Sequence, residues 1–298
     1  MAKIAVALDK ALELRATNGT AGFPAAQVVA RGDGWVVEDV VCTSGPDDRV
    51  YEEQHSHVRV AVVAAGTFQY RADCQSGTVR TLMTPGSVLL AAHGQCFECS
   101  HDHGTGDRCL SFGYTPEYFE SLTGDAGRHG RRVVRLPPLR DLSPLVARAC
   151  AGVTGDADVA WEELSIELGA RVVDLAKGGS PVRDRLPSRA EARVSRIVRR
   201  IEDQPDRSLT LRSLAREAGL SPYHFLRTFE QITGLTPHQY VRRTRLREAA
   251  AALLAEPGQV LAIALDCGFG DVSNFNHAFR AEFGVSPRQF RRSARRVP

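Results

Sequence analysis

The chain has 298 residues with 38 basic and 35 acidic side chains, a length that favours two domains. No apolar run approaches the roughly 18 residues a spanning helix needs, and no signal-peptide pattern opens the chain, so membrane and secreted classes are set aside. Seven cysteines, an odd number, point to reduced thiols in a cytoplasmic protein rather than a disulfide framework.

Residues 1–115 read as short strands. VVEDVVCT, HVRVAVVAAGTFQYRA, VRTLMTPGSVLLAA and DRCLSFGY are rich in β-branched and aromatic residues and are separated by Gly, Pro and Asp, which predicts a small antiparallel β-barrel. The order His55-Ser56-His57, Gly66, Thr84-Pro85-Gly86 resembles cupin-like sensor domains over roughly residues 35–114. The usual cupin metal site also has a Glu about four residues after the second His and a further His after the Pro-Gly. Here positions 61 and 89 are Ala and Leu, so the resemblance stops short of those ligands. His55 and His57 are expected instead to line an effector pocket, with His93, or to cap a strand.

The segment from Cys96 to Cys109 places Cys96, Cys99, His101, His103 and Cys109 within fourteen residues. A strand from Gln95 to His103 would turn Cys99, His101 and His103 to one face and Cys96 to the other. Three readings stay open. These are core or pocket residues, a site for a transition metal such as zinc built from Cys99, His101, His103 and Cys109, or a thiol switch activated by Arg108.

Residues 116–176 read as helical. Trp161, Leu164, Leu168, Val172 and Leu175 recur at three and four, one apolar stripe that either packs on the barrel or pairs two chains as a homodimer. Lys177 to Ser188, with its Gly, Ser and Pro residues, reads as a linker.

From Pro187 to the end there are 19 Arg, no Lys and 11 acidic residues, a net +8, which leaves −5 for the rest. A localised basic domain is what phosphate neutralisation needs. The same segment contains a repeat at an offset of 50. Phe225 falls on Phe275, Phe229 on Phe279, Gly234 on Gly284 and Pro237 on Pro287. Each copy follows a short helix pattern, LRSLAREAG or LAIALDCG, and a Gly-containing turn, which is a tandem helix-turn-helix signature.

In the first copy Ser221 is the N-cap, Pro222 starts the helix, and Phe225, Phe229 and Ile232 form the buried stripe. Tyr223, Arg227 and Glu230 then face outward, flanked by His224 and Leu226. In the second, Asp271 is the N-cap and Phe275, Phe279 and Phe283 are buried. Ser273, His277 and Arg280 face outward, flanked by Asn274 and Asn276. Between them, Pro237 to about Ala255 predicts a helix of about 28 Å, near the ~34 Å between successive major-groove openings on one DNA face. The runs Arg242-Arg243-Thr244-Arg245 and Arg291 to Arg296 are the expected phosphate contacts.

SLAREAGLSPYHFLRTF, TPHQYVRRTRLREAAAALL and IALDCGFGDVSNFNHAFRAEFGVSPRQFRR resemble the DNA-binding domain of the AraC/XylS family of transcription regulators. The resemblance implies that Tyr223, Leu226 and Arg227, with Ser273, Asn276 and His277, face DNA. Leu226 can meet only a thymine methyl, and His277 stands where Arg is common. His224 and Arg280 complete the expected interface. The expected fold is α+β, a cupin-like barrel (1–115) with a helical appendage (116–176), a linker (177–188) and an all-α tandem helix-turn-helix domain (189–298). The function implied is sequence-specific binding of double-stranded DNA under control of a small-molecule, metal or redox signal, with RNA polymerase as a further partner and no enzymatic activity. The alternative is a metal-dependent cupin enzyme carrying a DNA-binding domain.

Overall fold

The computed structural model describes residues 3–50, 52–74, 77–124, 134–177, 188–255 and 258–294. The expected linker lies almost wholly outside them.

The chain opens with a helix, not a strand. α1 (Lys3–Asn18) is rich in Ala, Leu, Lys and Glu, all strong helix formers. It buries Leu8, and Arg108 donates from Nη1 to the Ile4 carbonyl at 2.7 Å.

Among the described residues ten strands follow: β1 (Pro24–Gly32), β2 (Trp35–Cys42), β3 (Glu52–Gln54), β4 (Val58–Gly66), β5 (Phe68–Cys74), β6 (Gly77–Met83), β7 (Val88–Ala91), β8 (Cys96–Ser100), β9 (Asp107–Tyr114) and β10 (Val134–Leu136). They form two antiparallel sheets, β1-β2-β9-β4-β7-β10 and β3-β8-β5-β6. β10 is an unexpected strand within the otherwise helical appendage, with Val134 opposite Leu90. β8 is shorter than the strand expected between Gln95 and His103, because the residues beyond Ser100 turn back toward β9.

The middle of the large sheet is covered on both faces, which is why β9 is almost uninterrupted in its burial, whereas the edge strand β1 is mostly exposed. Leu110, Phe112 and Tyr114 face the appendage, whereas Cys109 joins Val63, Phe68, Tyr70, Met83 and Leu89 between the sheets. The appendage consists of α2 (Pro116–Thr123), a 3₁₀ turn (Arg140–Leu142), α3 (Ser143–Val153) and α4 (Trp161–Lys177). Leu164, Leu168 and Val172 of α4 are buried on the sheet, with Trp161 and Leu175 packed beside them. Tyr114 donates its hydroxyl to the Ser165 carbonyl at 2.7 Å. The apolar stripe is therefore consumed inside one chain, which removes the basis for pairing two chains through it.

Seven helices follow among the described residues: α5 (Ser188–Asp203), α6 (Leu211–Glu217), α7 (Pro222–Thr233), α8 (Pro237–Ala255), α9 (Val260–Asp266), α10 (Val272–Phe283) and α11 (Pro287–Ala294). They build two separate cores. One gathers Val194, Ile197, Leu214, Phe225 and Phe229, and the other Ile263, Phe275, Phe279, Phe283 and Phe290. α8 walls both. Tyr240 and Val241 enter the first core, and Leu246, Ala249, Ala250 and Leu253 the second. A continuous helix shared in this way holds the two units at a set spacing.

The arginine runs are spent largely on this architecture. Arg245 donates to the carbonyls of Pro205 (2.7 Å), Gly268 (2.7 Å) and Arg207 (2.9 Å), tying the second turn to the loop before α6. Arg243 pairs with Glu282 at 3.3 Å, and Arg291 donates to the Leu253 carbonyl at 3.1 Å. The guanidinium of Arg245, anchored on three main-chain carbonyls, is not available to a phosphate and departs from the expected role, whereas Arg243 Nη1 and Arg291 Nη2 are buried without a partner. Arg295 and Arg296 lie outside the described residues.

Candidate nucleic-acid interface

The two copies of the repeat fold as equivalent objects. α7 is capped by Ser221, whose Oγ accepts from the His224 amide at 3.3 Å, and begins with Pro222 at a position that needs no amide hydrogen. α10 is capped by Asp271, whose Oδ1 accepts from the Asn274 amide at 2.7 Å. Both helices end on a left-handed glycine, Gly234 at φ 78° and Gly284 at φ 77°. A side chain at either position would be strained, so the sequence stops both helices after equal lengths.

Burial follows the same phase in both. Phe225, Phe229 and Ile232 are buried in α7, and Phe275, Phe279 and Phe283 in α10. Tyr223, His224 and Arg227 are exposed on the first helix, with Leu226 half-buried. Ser273, Asn276, His277 and Arg280 are exposed on the second. All eight sequence-expected contact residues thus lie off the cores. Tyr223 is 62% exposed and accepts a hydrogen bond from Arg227 Nη1 at 3.1 Å. The Arg227 guanidinium also sits 5.8 Å from the Tyr223 ring centre, a cation–π arrangement that keeps the charge at the surface. Such a face carries donors for base edges and phosphates, an apolar edge at Leu226, and positive charge.

The N-terminal half is fastened to these units. Ser195 of α5 and Thr67 share a hydroxyl hydrogen bond of 3.0 Å, and Arg199 Nε donates to Thr67 Oγ1 at 3.2 Å and its Nη1 to the Thr105 carbonyl at 3.3 Å. On the other side, Glu282 of α10 accepts from Ser143 Oγ at 2.6 Å and lies 3.8 Å from Arg140. A cavity of about 270 Å³ lies between the halves, walled by α1, the β4–β5 turn, α3, α5 and α8.

The residues expected to line an effector pocket lie elsewhere. His55 stacks on Phe97 with ring centres 3.9 Å apart and shares a hydrogen bond of 3.0 Å with Tyr70. Burial, reinforced by the charge of Arg59, lowers its pKa to about 4. His57 is half-buried and bonds Ser56 at 3.0 Å, and His93 is exposed. None of the three lines the cavity.

His55 sets a pH dependence. Its ring stays neutral in the fold while the unfolded chain protonates near pH 6.5, so stability is full above that value and falls toward pH 4. Between about pH 7.5 and pH 5 the expected loss from this residue is about 2 kcal/mol. Urea midpoints at both pH values should differ less in His55→Gln than in the wild type. Equal differences would remove His55 as the source.

The Cys/His segment is divided by the fold. His101 is buried, with Nε2 at 2.7 Å from Asp107 Oδ1, and Cys109 donates to Asp107 Oδ2 at 3.2 Å. Cys42 from β2 completes this group and was invisible to a reading confined to residues 96–109. Its only signal is the β2–β9 register, which sets Cys42 opposite Asp107. Cys99 packs in the same inter-sheet core. His103 stands apart, beside α5 at Arg196 and Arg199. Arg108 points away from the thiols and forms a two-pronged pair with Asp39 at 2.8 and 2.7 Å. It therefore cannot activate them, and burial pushes the Cys99 and Cys109 thiols well up.

A family model described as a helix-turn-helix domain matches residues 214–293. The HTH-type transcriptional regulator MtrA of Neisseria gonorrhoeae is 30% identical over 102 residues, covering 34% of each chain. The HTH-type transcriptional activator RhaS of Escherichia fergusonii is 37% identical over 101 residues, covering 34% of this chain and 36% of RhaS. RhaS of Salmonella arizonae is 34% identical over 165 residues, covering 55% and 56%. The chain thus spans between a third and little over half the length of these curated relatives. Among solved structures, the DNA-binding domain of AdpA in complex with a target DNA is 28% identical, covering 35% of this chain and 95% of that one at a TM-score of 0.34. ToxT from Vibrio cholerae is 13% identical, covering 89% and 100% at a TM-score of 0.37. The two equivalent capped helices and the shared linking helix coincide with the match over residues 214–293, and this part of the chain is a helix-turn-helix domain similar to those of the transcriptional regulators MtrA and RhaS.

Proposed function

We propose that the whole chain is a transcription regulator that reads promoter DNA with α7 and α10 in two successive major grooves, under control of a signal received by its N-terminal half. The observation that carries this reading is the equal phase of burial and capping in two helices 50 residues apart, each leaving a polar face exposed. One chain then supplies both reading helices, and a second copy is not needed to span two grooves. RNA polymerase is the partner through which activation would run.

The halves are held together by Thr67–Ser195, Arg199–Thr67 and Ser143–Glu282. A small, largely apolar molecule in the cavity between them would bias how the DNA-binding units sit, and so shift promoter occupancy. Leu8, Leu12, Ala65 and Val146 supply its apolar wall, and Arg199 and Glu202 its polar edge. Among the described residues no helix is long and apolar enough to cross a membrane. The enzyme alternative has no support from the usual cupin positions, where Ala61 and Leu89 carry no ligand atoms.

Selection of bound genomic fragments tests the reading. A specific site of about 15–20 base pairs, protected in two adjacent major grooves, is the expected result. Arg227→Ala and His277→Ala should each weaken the specific complex by roughly 10- to 100-fold and relax preference in separate half-sites, with little change in non-specific binding. Unaltered sequence preference in both variants would show that α7 and α10 do not read the bases.

A further inference from the structure

We propose that the N-terminal half binds a transition-metal ion of the zinc class between its two sheets, held by Cys42, His101 and Asp107 with Cys109 beside them. One ligand atom from each of Cys42, His101 and Asp107 falls within 4.8 Å of the other two. Around a tetrahedral zinc, ligand atoms stand about 3.3–3.8 Å apart, a spacing the group reaches by small adjustments, the 2.7 Å contact between His101 and Asp107 opening as the wider separations close. Cys109 Sγ, at 3.2 Å from Asp107 Oδ2, is placed to be the fourth ligand. Thiolate, imidazole and carboxylate together suit zinc or cobalt rather than calcium or magnesium.

Three observations separate this group from an ordinary buried ion pair. The group joins two separate parts of the chain: Cys42 ends β2, whereas His101 follows β8 and Asp107 and Cys109 open β9. All four are at most 8% exposed, where two thiols beside a carboxylate add little to packing. His101 Nδ1 is buried and makes no hydrogen bond of ordinary geometry, although Nε2 is engaged by Asp107 and the Cys42 thiol interacts with the ring. A buried imidazole nitrogen left unpaired is costly, and a metal satisfies it. Asp107 then has a second role open to it, orienting His101 as carboxylates do behind many metal-bound histidines.

The site has an outlet. The turn that joins His101 to Asp107 carries Thr105, whose carbonyl accepts from Arg199 of α5. Replacing the 2.7 Å His101–Asp107 contact by two bonds to a metal moves that turn against the helix that begins the DNA-binding half. This consequence rests on the regulator reading, whereas the site itself does not.

The test uses full-length protein, purified without a metal-affinity tag, reduced under nitrogen and titrated with Co²⁺ and then Zn²⁺. The expected result is about one ion per chain, with a thiolate-to-cobalt absorption band that zinc abolishes. Cys42→Ser and Asp107→Asn should lose at least about tenfold in affinity, whereas Cys96→Ser and His103→Ala should bind as the wild type does. Far-UV circular dichroism identifies any variant that fails to fold, and the wild-type cobalt band decides the matter without variants. A folded, reduced wild type with no thiolate–cobalt band would overturn the proposal. So would a metal retained in folded Cys42→Ser and lost in His103→Ala, or a disulfide recovered between Cys42 and Cys109 in place of metal. Stoichiometric metal with DNA affinity unmoved by it would overturn only the regulatory consequence. Absence of specific DNA binding in both metal states would instead count against the regulator reading.

Discussion

Glu282→Ala is expected to cost about 3–5 kcal/mol, as removal of one partner from a buried ion pair does. The carboxylate is 4% exposed and serves three groups on two sides. It pairs with Arg243 on α8 at 3.3 Å and Arg140 on the 3₁₀ turn at 3.8 Å, and accepts from Ser143 at the start of α3 at 2.6 Å. Alanine leaves the guanidinium of Arg243, whose side chain is 15% exposed, without its counter-charge. It also cuts the contact between the second DNA-reading unit and the appendage. Thermal melts should show a lower midpoint for Glu282→Ala, with a much smaller drop for Ser143→Ala, which removes one hydrogen bond. Equal, small drops would show that the cluster is solvated and carries little of the inter-domain contact.

Phe279→Ala should cost a similar amount, about 3–5 kcal/mol, through a different cause. The Phe279 ring is fully buried and meets Phe275, Phe283 and Phe290 at centre distances of 5.5, 4.4 and 5.4 Å. Its removal opens a cavity among rings that cannot collapse without shifting α10 or α11. The first unit has its own core around Phe225 and Phe229, so the damage should be local. Hydrogen exchange should accelerate in α9 to α11 and much less in α6 and α7. A uniform increase across both units would mean that α8 transmits the loss and the two cores unfold as one.

Much of the DNA-binding half was legible beforehand because its information is local. The N-caps Ser221 and Asp271, the stop glycines Gly234 and Gly284, and the phenylalanines at helical spacing each act within one or two turns. The linking helix Pro237–Ala255 was read from helix formers alone. The same segment also misled. Arg245 looks like a phosphate contact in sequence, yet its donors are taken by carbonyls some 20 to 40 residues away, and Arg243 and Arg291 are each drawn to an internal acceptor, Glu282 and the Leu253 carbonyl.

In the N-terminal half, α1 escaped a reading that extended the strand pattern back to the first residue. β10 escaped because three residues carry too little alternation to stand out from helical neighbours. The apolar stripe of α4 was visible, but periodicity says only that one face is apolar, not what covers it. Its partner is the sheet.

The sequence by itself determined what depends on neighbours in the chain: the helix-turn-helix repeat, the residues facing out of each reading helix, and the strand-rich character of the first domain. Tertiary structure alone decided what depends on long-range register. It set Cys42 opposite Asp107 across β2 and β9, kept His103 out of that cluster, stacked His55 on Phe97 rather than in a cavity, and joined Glu282 to Ser143 across 139 residues. The reason is physical. Helix phase and caps are set by covalent spacing, whereas a cluster between two sheets exists only once non-local strand pairing has fixed which side chains share a face.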